Sequence, residues 1–146
     1  MKFVKILAVG AILAVGAAFA EGDRTDPNAL ARSELMKIQG MNTGILGNMA
    51  SGKEPFDAAK AEAAKAALIE ASSKIEATFM EPGAADPASE AKPEIWTSWE
   101  DFLVKANALT TAATAVDVSS VESIGAGMGA IGGACKDCHT TYRVMK

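Results

Sequence analysis

The sequence predicts an all-α protein, an antiparallel four-helix bundle, and three observations carry that expectation. Four segments have helical composition, and short stretches rich in Gly, Pro, Asp and Ser separate them. Apolar residues return at three- and four-residue steps, and nothing alternates like a strand.

Ahead of the bundle, residues 1–20 have the parts of a secretory signal: a basic start at Lys2 and Lys5, an apolar run from Ile6 to Phe19, and the small-residue site Ala18-Phe19-Ala20. A membrane anchor is the competing reading. The run is short for a bilayer span, however, and the Ala-x-Ala site fits cleavage. Residues 1–20 are therefore expected to be removed on export to the periplasm, leaving residues 21–146 as one domain beginning at Glu21. No other stretch is apolar enough to cross a membrane. The whole chain carries a net charge of −4, and loss of the two lysines makes the mature chain more acidic still. Such a balance argues against nucleic acid and anionic membrane as partners; it suits solubility, or steering toward a basic surface.

The first helix opens at Asp26-Pro27, with Asp as N-cap and Pro at the first helical position, and runs to about Ala50. Within it Leu35, Ile38, Ile45 and Met49 form a core stripe. Ser51-Gly52-Lys53-Glu54-Pro55 breaks it. The second, from near Phe56 to Met80, is dominated by alanine, carries Leu68, Ile69, Ile75 and Phe79, and offers a Glu70–Lys74 pair at i,i+4. Glu81-Pro82-Gly83 stops it.

Residues 81–92 form the longest polar connection. A third helix starts near Pro93 and places Trp96, Trp99, Phe102, Leu103, Ala106, Leu109 and Ala113 on a broad apolar stripe. The fourth starts at a capping box, Ser119 followed by Glu122, ahead of an apolar run. On it Ile124, Met128, Ile131, Cys135, Cys138 and Tyr142 recur at three- and four-residue steps, so both thiols lie on the core face.

Glycine is dense in two of these helices, and each interior Gly costs about 0.8–1 kcal/mol relative to Ala. Gly125, Gly129 and Gly132 share a stripe of the fourth helix; Gly40, Gly44 and Gly47 share one of the first. Two readings stand: room for a flat cofactor between backbones, or close contact of helices at small residues.

The run Cys135-Lys136-Asp137-Cys138-His139 reads as a covalent c-type haem attachment site. Thiols three residues apart sit one helical turn from each other, so both can add to the vinyl groups of one haem while the adjacent imidazole reaches the iron. A disulfide, a thioredoxin-like redox pair and a zinc site are the rivals. The redox pair belongs beside a βαβ unit that this chain lacks, and zinc wants four protein ligands where two cysteines and one histidine leave three. The cofactor expected is one haem c per chain, held by Cys135 and Cys138, with His139 as an axial iron ligand.

His139 is the only histidine, so a second histidine ligand from the same chain is impossible. Methionine, another donor such as water, or nothing takes the other side. Met128 and Met145 lie on the haem-bearing helix or its tail, Met80 at the end of the second helix, and Met41 and Met49 on the first. Met36, which heads the Gly40–Gly44–Gly47 stripe, is the candidate second axial ligand; its alternative role is core filling.

The stretch Cys135-Lys136-Asp137-Cys138-His139-Thr140-Thr141-Tyr142-Arg143 resembles the class II c-type cytochromes, the cytochrome c′ family. Gly52-Lys53-Glu54-Pro55-Phe56-Asp57 is similar to that family's first inter-helix turn, Pro93-Glu94-Ile95-Trp96 to its third-helix start, and Arg32-Ser33-Glu34-Leu35-Met36 to the segment facing the haem's distal side. The resemblance covers essentially the whole mature chain and implies a four-helix bundle. It also implies a choice at Met36. High-spin members leave that side open and bind small gases, whereas a low-spin subgroup uses a first-helix methionine as sixth ligand. Leu35-Met36-Lys37 resembles the low-spin subgroup, and Arg32 is similar to high-spin members. Arg32 and Arg143 are each expected to pair with a haem propionate in bidentate geometry, with Arg143 alternatively an exposed helix-end cation.

The function expected is that of a periplasmic one-electron carrier, not an enzyme, with a low-spin haem ligated by His139 and Met36. Its partners would be soluble or membrane-bound redox proteins. The alternative is a high-spin, five-coordinate protein that binds small gases such as nitric oxide. Pairing into a homodimer, with Met41 or Leu46 supplying the surface, is a further expectation.

Overall fold

The computed structural model describes residues 24–145, so the expected signal peptide and the start at Glu21 lie outside the described residues. Helix α1 spans Pro27–Ala50: Asp26 caps it by accepting the Ala29 N–H at 2.8 Å, and Pro27 occupies the first turn. It ends where the Ser51 N–H turns back to the Gly47 carbonyl and Gly52 takes φ +73°. Both boundaries match the sequence reading.

The second helix does not. Helix α2 runs Ala58–Ser73, capped by Asp57 on the Lys60 N–H at 2.9 Å, and a separate short helix α3 covers Ile75–Phe79. The break at Lys74 follows two serines whose hydroxyls donate back to the carbonyls of Ile69 (3.0 Å) and Glu70 (2.8 Å), in competition with the helix ladder. The Glu70–Lys74 pair forms, at 2.6 Å, on the solvent side. The third helix is likewise divided, into α4 (Glu94–Thr97) and α5 (Trp99–Ala115), at Ser98.

Helix α6 spans Val121–Tyr142 and starts one residue later than the sequence suggests. Its reciprocal cap joins Ser120 and Ser123, not Ser119 and Glu122, because Asp117 Oδ1 accepts the Ser119 N–H at 2.9 Å and holds that residue in the preceding turn. Glu122 keeps a place in the first turn, where its charge suits the helix dipole.

The long helices close a ring in which α1 packs on α2 and α6, and α5 packs on α2 and α6. Leu46, Met49, Leu68, Ile95, Ile124 and Ile131 are fully buried at its centre, each contributing about 1.5–3 kcal/mol of hydrophobic stabilisation. On α1 the buried stripe is Leu35, Gln39, Asn42, Leu46 and Met49. Ile38, expected in that stripe, is instead 41% exposed, since Gln39 and Asn42 take the inward positions and bond to the Ala71 and Ile38 carbonyls. Against α6, the Val116 side chain fills the space where a Cβ at Gly127 would stand, so that glycine is required by close approach.

The 81–92 connection is strapped to the bundle at both ends. Asp26 accepts the Ala84 N–H (2.9 Å) and Asp86 accepts those of Thr25 (2.7 Å) and Asp26 (3.0 Å). Further on, an antiparallel bridge joins Ala91 to Arg143, with Lys92 N–H on the Tyr142 carbonyl and Val144 N–H on that of Glu90. The tail of α6 is thereby fixed beside the strap. Among the described residues no helix is long and apolar enough to cross a membrane.

Candidate cofactor site

A cavity of about 590 Å³ opens between α1, α3, α5, the end of α6 and the strap, a size suited to a cofactor. Its walls bring together Met36 of α1, Phe79 of α3, Phe102 of α5, and Cys135, Cys138 and His139 of α6. The periodicity of α6 explains the last three: Cys135 and Cys138 continue the inward positions of Ile124 and Ile131 and end half-buried against the core.

Cys135 and Cys138 are both free thiols. Burial raises both pKa values, that of Cys138 to about 11, so each stays protonated at neutral pH. That is opposite to the acidic thiol of a thioredoxin-like pair. Burial, reinforced by the Arg143 charge, lowers the pKa of His139 and favours the neutral imidazole, the form that ligates a metal. Among the described residues no group of three or more His, Cys, Asp and Glu side chains is placed to hold a metal ion.

Met36 is half-buried and is the one described methionine that lines the cavity. Met49 is wholly buried in the core; Met41, Met80 and Met145 are 63%, 57% and 73% exposed; Met128 packs toward Gly47.

Arg32 lines the cavity at 4% exposure, but not as a free fork. Nη1 and Nη2 donate to the carbonyls of Glu81 and Pro82, both at 3.1 Å, and the guanidinium lies 5.7 Å from the Phe79 ring centre and 5.3 Å from that of Trp96. Each of those bonds uses one of the two N–H groups on its Nη. Nε remains, and among the described residues it is the one buried side-chain nitrogen or oxygen without a partner. An orphaned N–H on an apolar cavity wall calls for an acceptor. A haem carboxylate meets that need, and two thiols, an imidazole and apolar walls suit the rest of the group.

Arg143 also lines the cavity, beyond the end of α6, with Nε and Nη2 on Glu90 Oε2 at 2.8 and 2.7 Å. Sequence reasoning missed Glu90. Its role depends on the Ala91–Arg143 bridge between segments some fifty residues apart, and no local pattern announces that. Phe79 and Trp96 were legible as apolar-stripe residues, not as the two faces of a cation site.

The glycine stripes do not face each other across the cavity. Only Gly40 lines it; Gly125, Gly129 and Gly132 are exposed, with nothing within 4 Å of an added Cβ. Gly47 meets Met128 Cε at 3.6 Å, an ordinary contact of α1 with α6. The helix-contact reading therefore holds for Gly47, while Gly127, outside both stripes, faces Val116 just past the end of α5, and the α6 stripe lies outside the cavity, where the cofactor-room reading fails.

The cytochrome C′ family profile matches residues 28–143. Among curated relatives, the cytochrome c-556 of Agrobacterium tumefaciens (strain apple 185) is 35% identical over 119 residues, 80% of this chain and 94% of that one. The cytochrome c′ of Rubrivivax gelatinosus is 35% identical over 105 residues, 68% and 81% of the two chains. Among solved structures, cytochrome c′ from Rhodobacter Spheriodes superposes with a TM-score of 0.75 at 28% identity, covering 82% of this chain and 96% of that one. A nitric oxide complex of a variant cytochrome c prime from Alcaligenes xylosoxidans gives 0.71 at 26%, covering 81% and 94%. Both solved relatives are four-helix bundles, so α1, α2–α3, α4–α5 and α6 are that architecture with its second and third helices interrupted.

Proposed function

Because this chain belongs to the cytochrome c′ family, with haem c as cofactor and electron transport as its work, we propose that it is a periplasmic one-electron carrier with a low-spin haem ligated by His139 and Met36. The observation that carries the finer reading is the placement of Met36: it shares the cavity with Cys135, Cys138 and His139, and every other described methionine lies elsewhere. Bound haem c supplies the ferric–ferrous couple. The chain supplies attachment through Cys135 and Cys138, a neutral imidazole at His139, and at Met36 a soft thioether that favours the ferrous state and keeps gases from the iron.

Arg32 Nε is the donor toward one propionate, the contact its sequence position suggests. Arg143 serves a second propionate only in company with Glu90. Residues 1–20 act as the cleaved export signal and residues 21–146 as the working domain. Its partners are other redox proteins of the periplasm, soluble or membrane-bound.

The second reading, a five-coordinate gas binder with Met36 as a wall residue, draws support from the likeness to the nitric oxide complex. An optical spectrum of the purified holoprotein separates the two. Low-spin bands in both oxidation states are expected; a high-spin spectrum overturns the carrier reading with Met36 bound.

A further inference from the structure

Arg32 is held more firmly than one hydrogen bond to a cofactor requires. Two backbone carbonyls fix the fork, two aromatic faces flank it, and the Trp96 indole N–H is itself tied to the Phe79 carbonyl at 2.8 Å. The cation takes part in none of the ion pairs among the described residues. Asp26 and Asp86 act on it only through space. A buried charge with no carboxylate of the chain itself in contact is costly, and neutral packing would serve better if Arg32 only joined α1 to the connection.

We infer that Arg32 is the residue that sets the reduction potential of this site, a locked positive charge on the cavity wall that favours the reduced cofactor and that the Glu81-Pro82 carbonyls keep in place. The inference rests on the reading of the cavity as the haem site. Uptake of one electron lowers the charge of the site by one unit, so a fixed cation nearby stabilises the reduced form more than the oxidised one. Being out of water, the charge is weakly screened and its effect survives added salt. The aromatic faces favour the cation electrostatically without cancelling its field. Arg32 thus acts as a positioning charge, and the 81–92 connection, through two carbonyls, governs how the cofactor is tuned.

The test is spectroelectrochemical titration of holoprotein carrying Arg32→Met, Arg32→Lys or Asp86→Asn, with thermal melting of each. Arg32→Met is expected to shift the oxidation equilibrium toward the ferric form by roughly tenfold, which is about 59 mV for a one-electron couple. Arg32→Lys, which keeps the charge and loses the fork, should recover most of that shift. Asp86→Asn leaves Arg32 in place and removes a carboxylate that opposes it, so the potential should rise; this variant also answers if Arg32→Met fails to fold. Lowered melting temperatures with potentials unchanged in Arg32→Met, or in Asp86→Asn should Arg32→Met not fold, would mean a structural tie only and overturn the inference. A wild-type protein without a covalent haem band or a reversible couple would instead overturn the site reading beneath it.

Discussion

The Tyr142 hydroxyl, in the last turn of α6, donates to Asp101 Oδ2 on α5 at 2.6 Å. Its ring packs edge-on against Phe102, 5.4 Å between centres, and Tyr142 is only 4% exposed. The turn that carries Cys138 and His139 is thus bonded sideways to the neighbouring helix as well as strapped from above by residues 90–92. Removing the hydroxyl in Tyr142→Phe should cost about 1.5 kcal/mol, the low end for a hydrogen bond to a charged group, because the exposed Asp101 carboxylate can return to water. Denaturant melting of the holoprotein checks it.

The same contact fixes a pH dependence. Burial first, then the Asp101 carboxylate, raises the Tyr142 pKa from 10.0 to about 12. A phenol that holds its proton more tightly when folded contributes stability that is complete below pH 10 and is lost as pH rises toward 12. Wild-type stability should therefore fall across that window, and Tyr142→Phe should fall less steeply. Equal slopes would place the alkaline loss elsewhere.

Replacing Met36 by Ala removes the one cavity methionine and should convert a low-spin spectrum to a high-spin one that responds to carbon monoxide or nitric oxide. Met128→Leu, within the α1–α6 contact and outside the cavity, should leave the spectrum unchanged. If Met36→Ala stays low-spin, the sixth ligand is another residue.

The exposed glycines of α6 carry a further expectation. No atom lies within 4 Å of a Cβ added at Gly125 or Gly129, and neither lines the cavity, so Ala at each should stabilise by about 0.8–1 kcal/mol through helix propensity alone. Ala at Gly127 should do the reverse, because Val116 occupies the space. Melting of the three single variants settles the contrast; destabilisation by Gly125→Ala and Gly129→Ala would mean that something covers that face in the working protein.

These cases mark where sequence reasoning reaches and where it stops. Local chemistry was legible: Asp26-Pro27 starts α1, Glu70 finds Lys74, and the spacing of Ile124, Ile131, Cys135 and Cys138 turns both thiols inward, because each depends on residues within a turn or two. Relations set by tertiary contact were not. A serine pair splits the second helix, Asp117 moves a cap by one residue, and Glu90 meets Arg143 only because distant segments bridge. The α6 glycines misled for a related reason: small residues announce that something is absent from a helix surface, not which neighbour, if any, uses the space.

The outer face of α1 gives the last prediction. Leu30, Ile38 and Met41 are 43%, 41% and 63% exposed, and helical geometry places them within one quadrant of the helix. Leu46, expected to share a pairing surface with Met41, is wholly buried in the chain's own core and cannot. Glu34 and Lys37, bonded to each other at 2.5 Å, sit among the apolar residues and neutralise their own charges there. A net-neutral, partly apolar helix face on an acidic chain suits a second copy, whose like charges would otherwise repel it. Sedimentation of the holoprotein should show a dimer that Met41→Glu converts to monomer, because the substitution buries two unpaired carboxylates near a two-fold axis. Lys60→Glu on α2, beside Glu54 and away from this stripe, should leave the dimer intact. A wild-type protein that stays monomeric at high concentration removes pairing through this face.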